Sequence, residues 1–447
     1  MLLSSKRGEK MQRKFEKILS DWKEKYIQKP LMVVGVRQIG KTYTIDSFCK
    51  KNFPNYLYIN LEKQKDICSI FDDTIEPEKI IERIKLYLNI SFYEEITVLF
   101  FDECQVSENF ITSLKYFCES KTPYKIVCAG SLLGVKINRF NSSFPVGKVR
   151  IEYMYPMDFE EFLMALDEKM LIAEIKKSFQ NMKAMDTILH EKAMELYQKY
   201  LCVGGMPEVV NNFLENKGHI SELDSNIIQN IIDMYVSDMS KYTTYPSEKV
   251  KIENIYKNVS TQLAKENKKF QYSIIEKGAD KRKYYTSIEW LISSNMVYAC
   301  HNINKVEIPL KVFMDENNFK LYLSDVGLLT KMSGVRYNDI ILNVPFMYRG
   351  IITENYVAQN FIASGIDLYY WTSKNLAEID FLLYNKDGII PVEVKSNDNN
   401  QSKSLKTYME KYNPKYAIRI SSKNFGYENK IMSIPLYAIF CIKELEN

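Results

Sequence analysis

Residues 35–42 read Gly35-Val36-Arg37-Gln38-Ile39-Gly40-Lys41-Thr42, two glycines with four residues between them and then Lys-Thr. The apolar run Leu31-Met32-Val33-Val34 precedes this stretch and a helical-looking segment follows it. The pattern therefore predicts a strand, an anion-binding loop and a helix, in that order. Gly35 and Gly40 tolerate backbone dihedrals that side chains resist, so the loop, with Val36, Arg37, Gln38 and Ile39, can turn its N–H groups inward around an anion. The helix that follows aims its positive end at the same point. Lys41 is then expected on the β- and γ-phosphates of a nucleoside triphosphate, and the Thr42 hydroxyl on a magnesium ion. A plain glycine turn before an ordinary helix is the alternative.

Outward from the loop, Asn55-Tyr56-Leu57-Tyr58-Ile59-Asn60-Leu61 reads as a second strand. Ile96-Thr97-Val98-Leu99-Phe100-Phe101 is an unbroken apolar run, suited to a strand covered on both faces. It ends in Asp102-Glu103, and in a doubly wound sheet the carboxyl end of such a strand lies beside the phosphate loop. Asp102 is expected to hold magnesium through water, and Glu103 to orient or deprotonate the attacking water. Tyr124–Ala129 is a further strand leading into Gly130-Ser131, where the Ser131 hydroxyl could touch the γ-phosphate or that water; a turn alone is the other reading. Strand and helix alternate across 31–155, which makes this half an α/β domain with a parallel sheet.

A chain of 447 residues suggests two or three domains. With 46% hydrophobic and 26% charged residues, wholesale disorder is excluded. Neither a secretory signal nor a run of membrane-spanning length is present, so no membrane association is expected. Eight cysteines without a Cys-x-x-Cys pair, and three scattered histidines, support neither a disulfide framework nor a structural zinc site. A reduced, cytoplasmic protein is the expectation.

The net charge is only +4, but residues 241–283 hold eleven Lys or Arg against five acids, a local excess of +6. Tyr242, Tyr245, Tyr256, Tyr272, Tyr284 and Tyr285 are interleaved with them. Such a segment can meet phosphates and stack on bases, and it equally suits a solvated helical face. Residues 159–240 have apolar residues at helical spacing and read as a lid-like helical subdomain, broken by the Gly204-Gly205-Met206-Pro207 turn. From 246 to 334 several short helices lead to strands expected at Pro309–Met314 and Phe319–Leu323. Helices followed by a β-ribbon suggest a winged-helix module that overlaps the basic segment, with DNA as the expected partner and a purely structural or protein-docking module as the alternative.

The last hundred residues hold a second chemical pattern. Glu354 lies on a predicted helix, and strands are expected at Glu378–Leu383 and Ile390–Lys395. Residues two apart in a strand share a face, so Glu393 and Lys395 lie together. A hairpin around Asn385-Lys386-Asp387-Gly388 brings Asp380 to them. Asp380, Glu393 and Glu354 then read as magnesium ligands, and Lys395 as the charge that positions a hydroxide against a phosphodiester. Alternating charge on an exposed strand produces Glu-x-Lys as well.

Together, Gly-x-Arg-Gln-x-Gly-Lys-Thr, the Asp102-Glu103-x-Gln105 motif, Gly130-Ser131-Leu132-Leu133 and Pro156-Met157-Asp158-Phe159-Glu160-Glu161-Phe162 resemble a group of prokaryotic AAA-type ATPases followed by a C-terminal domain of unknown function. The resemblance extends to Gly204-Gly205-Met206-Pro207 and Tyr322-Leu323-Ser324-Asp325-Val326-Gly327-Leu328-Leu329. It implies ATP and magnesium as ligands. Gly147-Lys148 stands where that family often carries Gly-Arg, which leaves Arg139 and Arg150 as candidates for a charge-stabilising arginine. The Asp380…Glu393-x-Lys395 pattern resembles the restriction-endonuclease-like metal-dependent nucleases, with Ile379 in place of the proline that often precedes the aspartate. The expected organisation is an N-terminal helix (1–30), a P-loop ATPase domain (31–158), the helical lid-like subdomain (159–240), the winged-helix-like module (241–345) and a nuclease-like α/β domain (346–447). A homo-oligomer, and a nucleotide-gated switch that binds protein or nucleic acid without cutting, remain open alternatives at this level.

Overall fold

β1 (Leu31–Val34) and β3 (Thr97–Asp102) are buried along their whole length, as their unbroken apolar sequences require of strands covered on both faces. With β2 (Asn55–Asn60), β4 (Lys125–Gly130) and β5 (Arg150–Tyr153) they form a five-stranded sheet in the order β2-β3-β4-β1-β5. Every neighbouring pair in it is parallel. The computed structural model describes residues 11–131, 144–241, 246–265, 268–373, 377–396 and 403–445. The chain divides into two units, Met1–Tyr155 with Ser293–Asn295, and Pro156–Ile292 with Met296–Asn447.

In the first unit, helices Phe15–Lys25, Lys41–Asn52, Lys65–Asp73, Pro77–Leu88 and Glu108–Glu119 join the strands. Met32, Val34, Ile59, Leu99 and Phe101 from the sheet share one apolar core with Ile80, Ile84, Phe110 and Leu114 from the helices. The helix Glu108–Glu119 starts where Ser107 Oγ accepts the Phe110 N–H, a side-chain cap on a run with buried residues on one face. The strand order has a functional consequence. Because β4 lies between β1 and β3, the loop after β1, Ser131 after β4 and Asp102-Glu103 at the end of β3 meet at one edge.

In the second unit, residues 159–241 form helices Phe159–Ala165, Lys169–Asn181, Thr187–Val203, Pro207–Glu215 and Ser225–Lys241. Helices Pro246–Leu263, Tyr272–Ile275 and Lys281–Ser293 follow. Then come β6 (Val297–Ile303) and β7 (Met314–Leu323), which pair antiparallel with a shift in register at His301/Asn302. The strand expected at Pro309–Met314 is mostly a 3-10 turn over Leu310–Phe313, and β6 is the strand that actually partners β7. Pro309 has no N–H to offer a ladder, so the chain uses that stretch as a connection. β6 also pairs parallel with β8 (Tyr369–Ser373), which pairs with β9 (Ala377–Ile379), so the ribbon belongs to a four-stranded sheet β7-β6-β8-β9.

β10 (Phe381–Asn385) turns through Lys386-Asp387 into β11 (Gly388–Val394), the hairpin the sequence predicts. β11 then pairs parallel with β12 (Ala417–Ser421), with helix Lys403–Tyr412 between them in sequence. β13 (Gly426–Glu428) and β14 (Ile431–Pro435) complete the order β10-β11-β12-β14-β13. Among the described residues, no helix is long and apolar enough to cross a membrane.

Three of the sequence motifs meet inside this unit. The Gly205 N–H donates to Asp325 Oδ2 at 2.6 Å and the Leu328 N–H to Asp325 Oδ1 at 3.0 Å. The Met157 N–H donates to the Gly205 carbonyl at 2.8 Å. A Cβ on Gly205 would lie 2.1 Å from the Met157 carbonyl oxygen, so glycine is required by close backbone approach.

Candidate functional site

The loop between β1 and helix Lys41–Asn52 bends through Gln38 (φ 65°) and Gly40 (φ 84°). Holding a non-glycine residue in the left-handed region costs about 1–2 kcal/mol, and here it shapes the turn. A Cβ on Gly35 would stand 2.3 Å from the Met154 carbonyl oxygen and 2.6 Å from Ile39 Cδ1, so the loop closes only around a bare backbone. Behind it, the buried Arg13 donates to the Ile39 carbonyl at 2.5 Å and to the Tyr155 carbonyl at 2.8 Å. This bracing was not foreseen from sequence, where Arg13 is one basic residue among several.

Lys41 Nζ folds back to donate to the carbonyls of Gly35 (2.9 Å) and Val36 (2.8 Å). Burial pushes its pKa down to about 8, against the pull of Glu103 and Asp102. Thr42 Oγ1 donates to Asp102 Oδ2 at 2.9 Å, bringing together the hydroxyl and carboxylate expected on magnesium. Tyr58 OH donates to the same oxygen at 3.0 Å, and the Glu103 N–H to Asp102 Oδ1 at 3.0 Å. Burial raises the Asp102 pKa and the Glu103 charge adds to the rise, while the Thr42 and Tyr58 hydrogen bonds oppose it. Glu103 sits in left-handed backbone (φ 54°) and accepts Gln105 Nε2 at 2.6 Å. Ser131 Oγ lies 3.5 Å from Glu103 Oε2 and accepts Arg37 Nε at 3.1 Å. Lys41, Thr42, Asp102, Glu103 and Ser131 thus form one connected group. Hard oxygen donors beside a lysine and a glycine-bent loop fit a magnesium-bound triphosphate. Tyr58 is a member that sequence reasoning missed; its only signal was a tyrosine near the end of a strand adjoining β3.

Of the two arginine candidates, Arg139 lies outside the described residues. Arg150 pairs with Asp21 (2.8 Å) and Glu152 (2.7 Å) and lies over the Tyr26 ring.

The C-terminal residues are arranged differently from expectation. The hairpin pairs Phe381 with Val392, so the next step sets Asp380 opposite Glu393, and Asp380 Oδ2 accepts the Val394 N–H at 2.8 Å. The carboxylates nevertheless face separate cations. Glu393 lies 3.2 Å from Lys395 Nζ and 3.8 Å from Arg419 Nε, which neighbours it on β12. Glu354 accepts Lys320 Nζ at 3.0 Å, and also Lys268 Nζ and Tyr322 OH. Lys320 Nζ donates in addition to Glu378 at 2.6 Å and lies 4.8 Å from the Tyr370 ring centroid. The magnesium set of Glu354, Asp380 and Glu393 is therefore not formed. Among the described residues, no group of three or more His, Cys, Asp or Glu is placed to hold a metal ion. At Glu354 the physical reason is competition: Lys320, Lys268 and Tyr322 already donate to the oxygens a cation would need. Burial pushes Glu354 upward, but Lys268 and Lys320 outweigh it and hold this carboxyl below its usual range. Asp380 is raised, by burial first and the Glu354 charge second. Lys320 was legible as a lone charge within the apolar run Phe319–Leu323, yet its role was not read.

Five of the eleven Lys and Arg residues of the basic segment are held in ion pairs. Lys249 and Lys257 face Glu253, Lys281 faces Glu316, Lys283 faces Glu276 and Lys268 faces Glu354. Tyr256 and Tyr284 are core residues and offer no face for stacking, whereas Tyr285 is 48% exposed. Tyr242 and Tyr245 lie outside the described residues.

Residues 27–163 match the model of an AAA domain, which covers the five-stranded sheet and the loop. Residues 194–339 match a domain of unknown function (DUF8612) and residues 349–439 another (DUF4143). Among solved structures, the chain is similar to the Walker-type ATPase paby2304 of Pyrococcus abyssi, at 15% identity and a TM-score of 0.44, covering 73% of this chain and 97% of that one. It is also similar to the ADP form of the Aeropyrum pernix ORC2 protein, at 12% identity and a TM-score of 0.32, covering 74% and 92%. AMPPCP-bound DnaA from Aquifex aeolicus is matched at 10% identity and a TM-score of 0.27, covering 62% and 86%. No curated protein matches the chain. The N-terminal unit is an AAA-type P-loop ATPase domain.

Proposed function

We propose that this chain binds and hydrolyses ATP at the P-loop, and that this cycle governs a C-terminal nuclease-like domain that contacts DNA. The observation that carries the proposal is the Thr42–Asp102 contact of 2.9 Å beside the buried Lys41. Lys41 would exchange the Gly35 and Val36 carbonyls for the β- and γ-phosphate oxygens. Thr42 and Asp102 would hold magnesium, which would supply neutralising charge. Glu103, steadied by Gln105, orients the attacking water and accepts its proton as water oxygen bonds to the γ-phosphorus and the β–γ bridge breaks, giving ADP and phosphate. Ser131, bonded to Glu103 and Arg37, would respond to the γ-phosphate. Steady-state ATP hydrolysis by wild type, Lys41→Ala and Glu103→Gln tests this. The two variants are expected to lose turnover, and equal rates in all three would end the proposal.

The reading of the C-terminal domain as restriction-like is supported by its strand arrangement. A helix bearing Glu354 precedes β8, β9-β10 and β11, and a helix then leads to β12 parallel to β11. The lysine pairing of Glu354 favours a second reading, a nucleotide-gated switch that binds without cutting. Plasmid cleavage that requires magnesium or manganese and disappears in Asp380→Ala and Lys395→Ala would select the first reading. Intact DNA in the presence of DNA binding would select the second.

A further inference from the structure

We infer that Lys320 serves as an internal cation for the acidic cluster of the C-terminal core, tying Glu354 to Glu378, so that the domain is built to hold that cluster without a divalent metal. The inference rests on the restriction-like reading of residues 349–421. Lys320 stands on β7, outside that core, and its side chain is fully buried. Its ammonium reaches Glu354 on helix Arg349–Ala363 and Glu378 on β9, and its open face lies over the Tyr370 ring on β8. One side chain therefore bridges three elements of the core, as a bridging metal ion does. Lys268 and Tyr322 fill the remaining Glu354 positions.

Charge and coordination both argue against adding a divalent ion. The acids Glu354, Glu378 and Asp380 stand against the ammonium groups of Lys268 and Lys320. Another two positive charges would invert the balance in a buried space and set a metal beside two like charges. Magnesium also demands about six oxygens in near-octahedral geometry, whereas the oxygens here are directed at nitrogen donors. Displacing Lys320 would strand a buried ammonium. Glu393 does not supply the missing ligand, because its carboxylate lies between Lys395 and Arg419.

The lock has a concrete function in the second unit. Through Lys320 and Tyr322 it fastens the β6–β7 ribbon, and through Lys268 the segment before it, to the helix and strands of the C-terminal core. The class of activity it leaves to the domain is binding.

Manganese binding to the full-length protein without nucleotide, followed by electron paramagnetic resonance, tests this. Wild type is expected to show no bound Mn2+ that Asp380→Asn removes. Lys320→Ala is expected to gain a site at least about tenfold tighter than any in wild type, abolished when Asp380→Asn is added. A wild-type site sensitive to Asp380→Asn would overturn the inference, as would folded Lys320→Ala that takes up no Mn2+. If Lys320→Ala does not fold, the wild-type measurement alone decides. DNA binding by wild type reports separately on the reading beneath. Absent DNA affinity with the Mn2+ results as expected removes the DNA-contact reading and leaves the lock standing, whereas DNA affinity with an Asp380-dependent wild-type Mn2+ site does the reverse.

Discussion

Lys41 is a buried ammonium that donates to two loop carbonyls, and its chemistry makes the site pH-dependent in two opposite ways. Its pKa falls from 10.5 to about 8 on folding. A lowered folded-state pKa means that the nucleotide-free protein gains stability as pH rises from about 8 toward 10.5, because only the unfolded chain still binds the proton. ATP needs the charged form, so affinity should fall above pH 8 by up to about tenfold per pH unit. Titrations of ATP binding and thermal melts across pH 7–10 check both signs. Parallel trends would show that Lys41 is not the titrating group. Glu103→Gln keeps the size and the Gln105 contact but removes the base, so turnover should drop by about 100-fold or more while ATP binding persists. Binding lost together with turnover would mean that Glu103 holds the loop instead. Lys41, Thr42, Asp102, Glu103 and Ser131 were legible in the sequence because a phosphate loop and a buried strand ending in carboxylates each have a local signature. Tyr58 and Arg13 were not, since their roles arise from contacts over 44 and 142 residues of separation.

Elements carry the geometry that places those residues. Gly205→Ala would drive a methyl group to within 2.1 Å of the Met157 carbonyl oxygen and against the rest of the Met157 backbone. A destabilisation of about 1–3 kcal/mol is expected, read as a lower melting temperature or urea midpoint. A melt unchanged from wild type would mean that the Met157, Gly205 and Asp325 segments do not close on one another. The same contact explains why three distant sequence motifs belong to one structural joint. The five-stranded sheet was readable from apolar runs and from alternation of strand and helix. The β6 strand was missed, and Pro309–Met314 was taken for a strand, because both stretches mix apolar and polar residues and long-range pairing decides between them. β12 to β14 escaped for the same reason. The hairpin from β10 to β11 was legible, since its turn at Lys386-Asp387-Gly388 is local and Gly388 takes φ +102°.

At the scale of the whole molecule, the AAA-type unit and the C-terminal unit each bring buried carboxylates close to a lysine, and the lysine is used differently in the two. In the first, Asp102 and the Thr42 hydroxyl are bonded to each other while Lys41 is folded back on the loop. In the second, lysine is already on the carboxylates. What the sequence alone could not separate was the partner of each carboxylate, because Glu354 and Glu393 read as ligands until buried Lys320 and Arg419 are placed beside them. If the basic segment contacts DNA, the pairing of five of its eleven Lys and Arg residues reduces the charge it offers to phosphates. Affinity should then fall with salt with a shallow slope, on the order of only a few phosphates neutralised. A fluorescence anisotropy series over ionic strength measures it, and affinity independent of salt would exclude a phosphate-directed surface. Nucleotide binding at the loop of residues 35–42 underlies every other step proposed. Its most direct test is an equilibrium titration of wild type and Lys41→Ala with a fluorescent ATP analogue in magnesium. Wild type should saturate, and Lys41→Ala should lose about 10- to 100-fold in affinity, the worth of one charge-assisted contact; a wild-type protein that leaves the nucleotide free, or equal affinity in the two proteins, would contradict it.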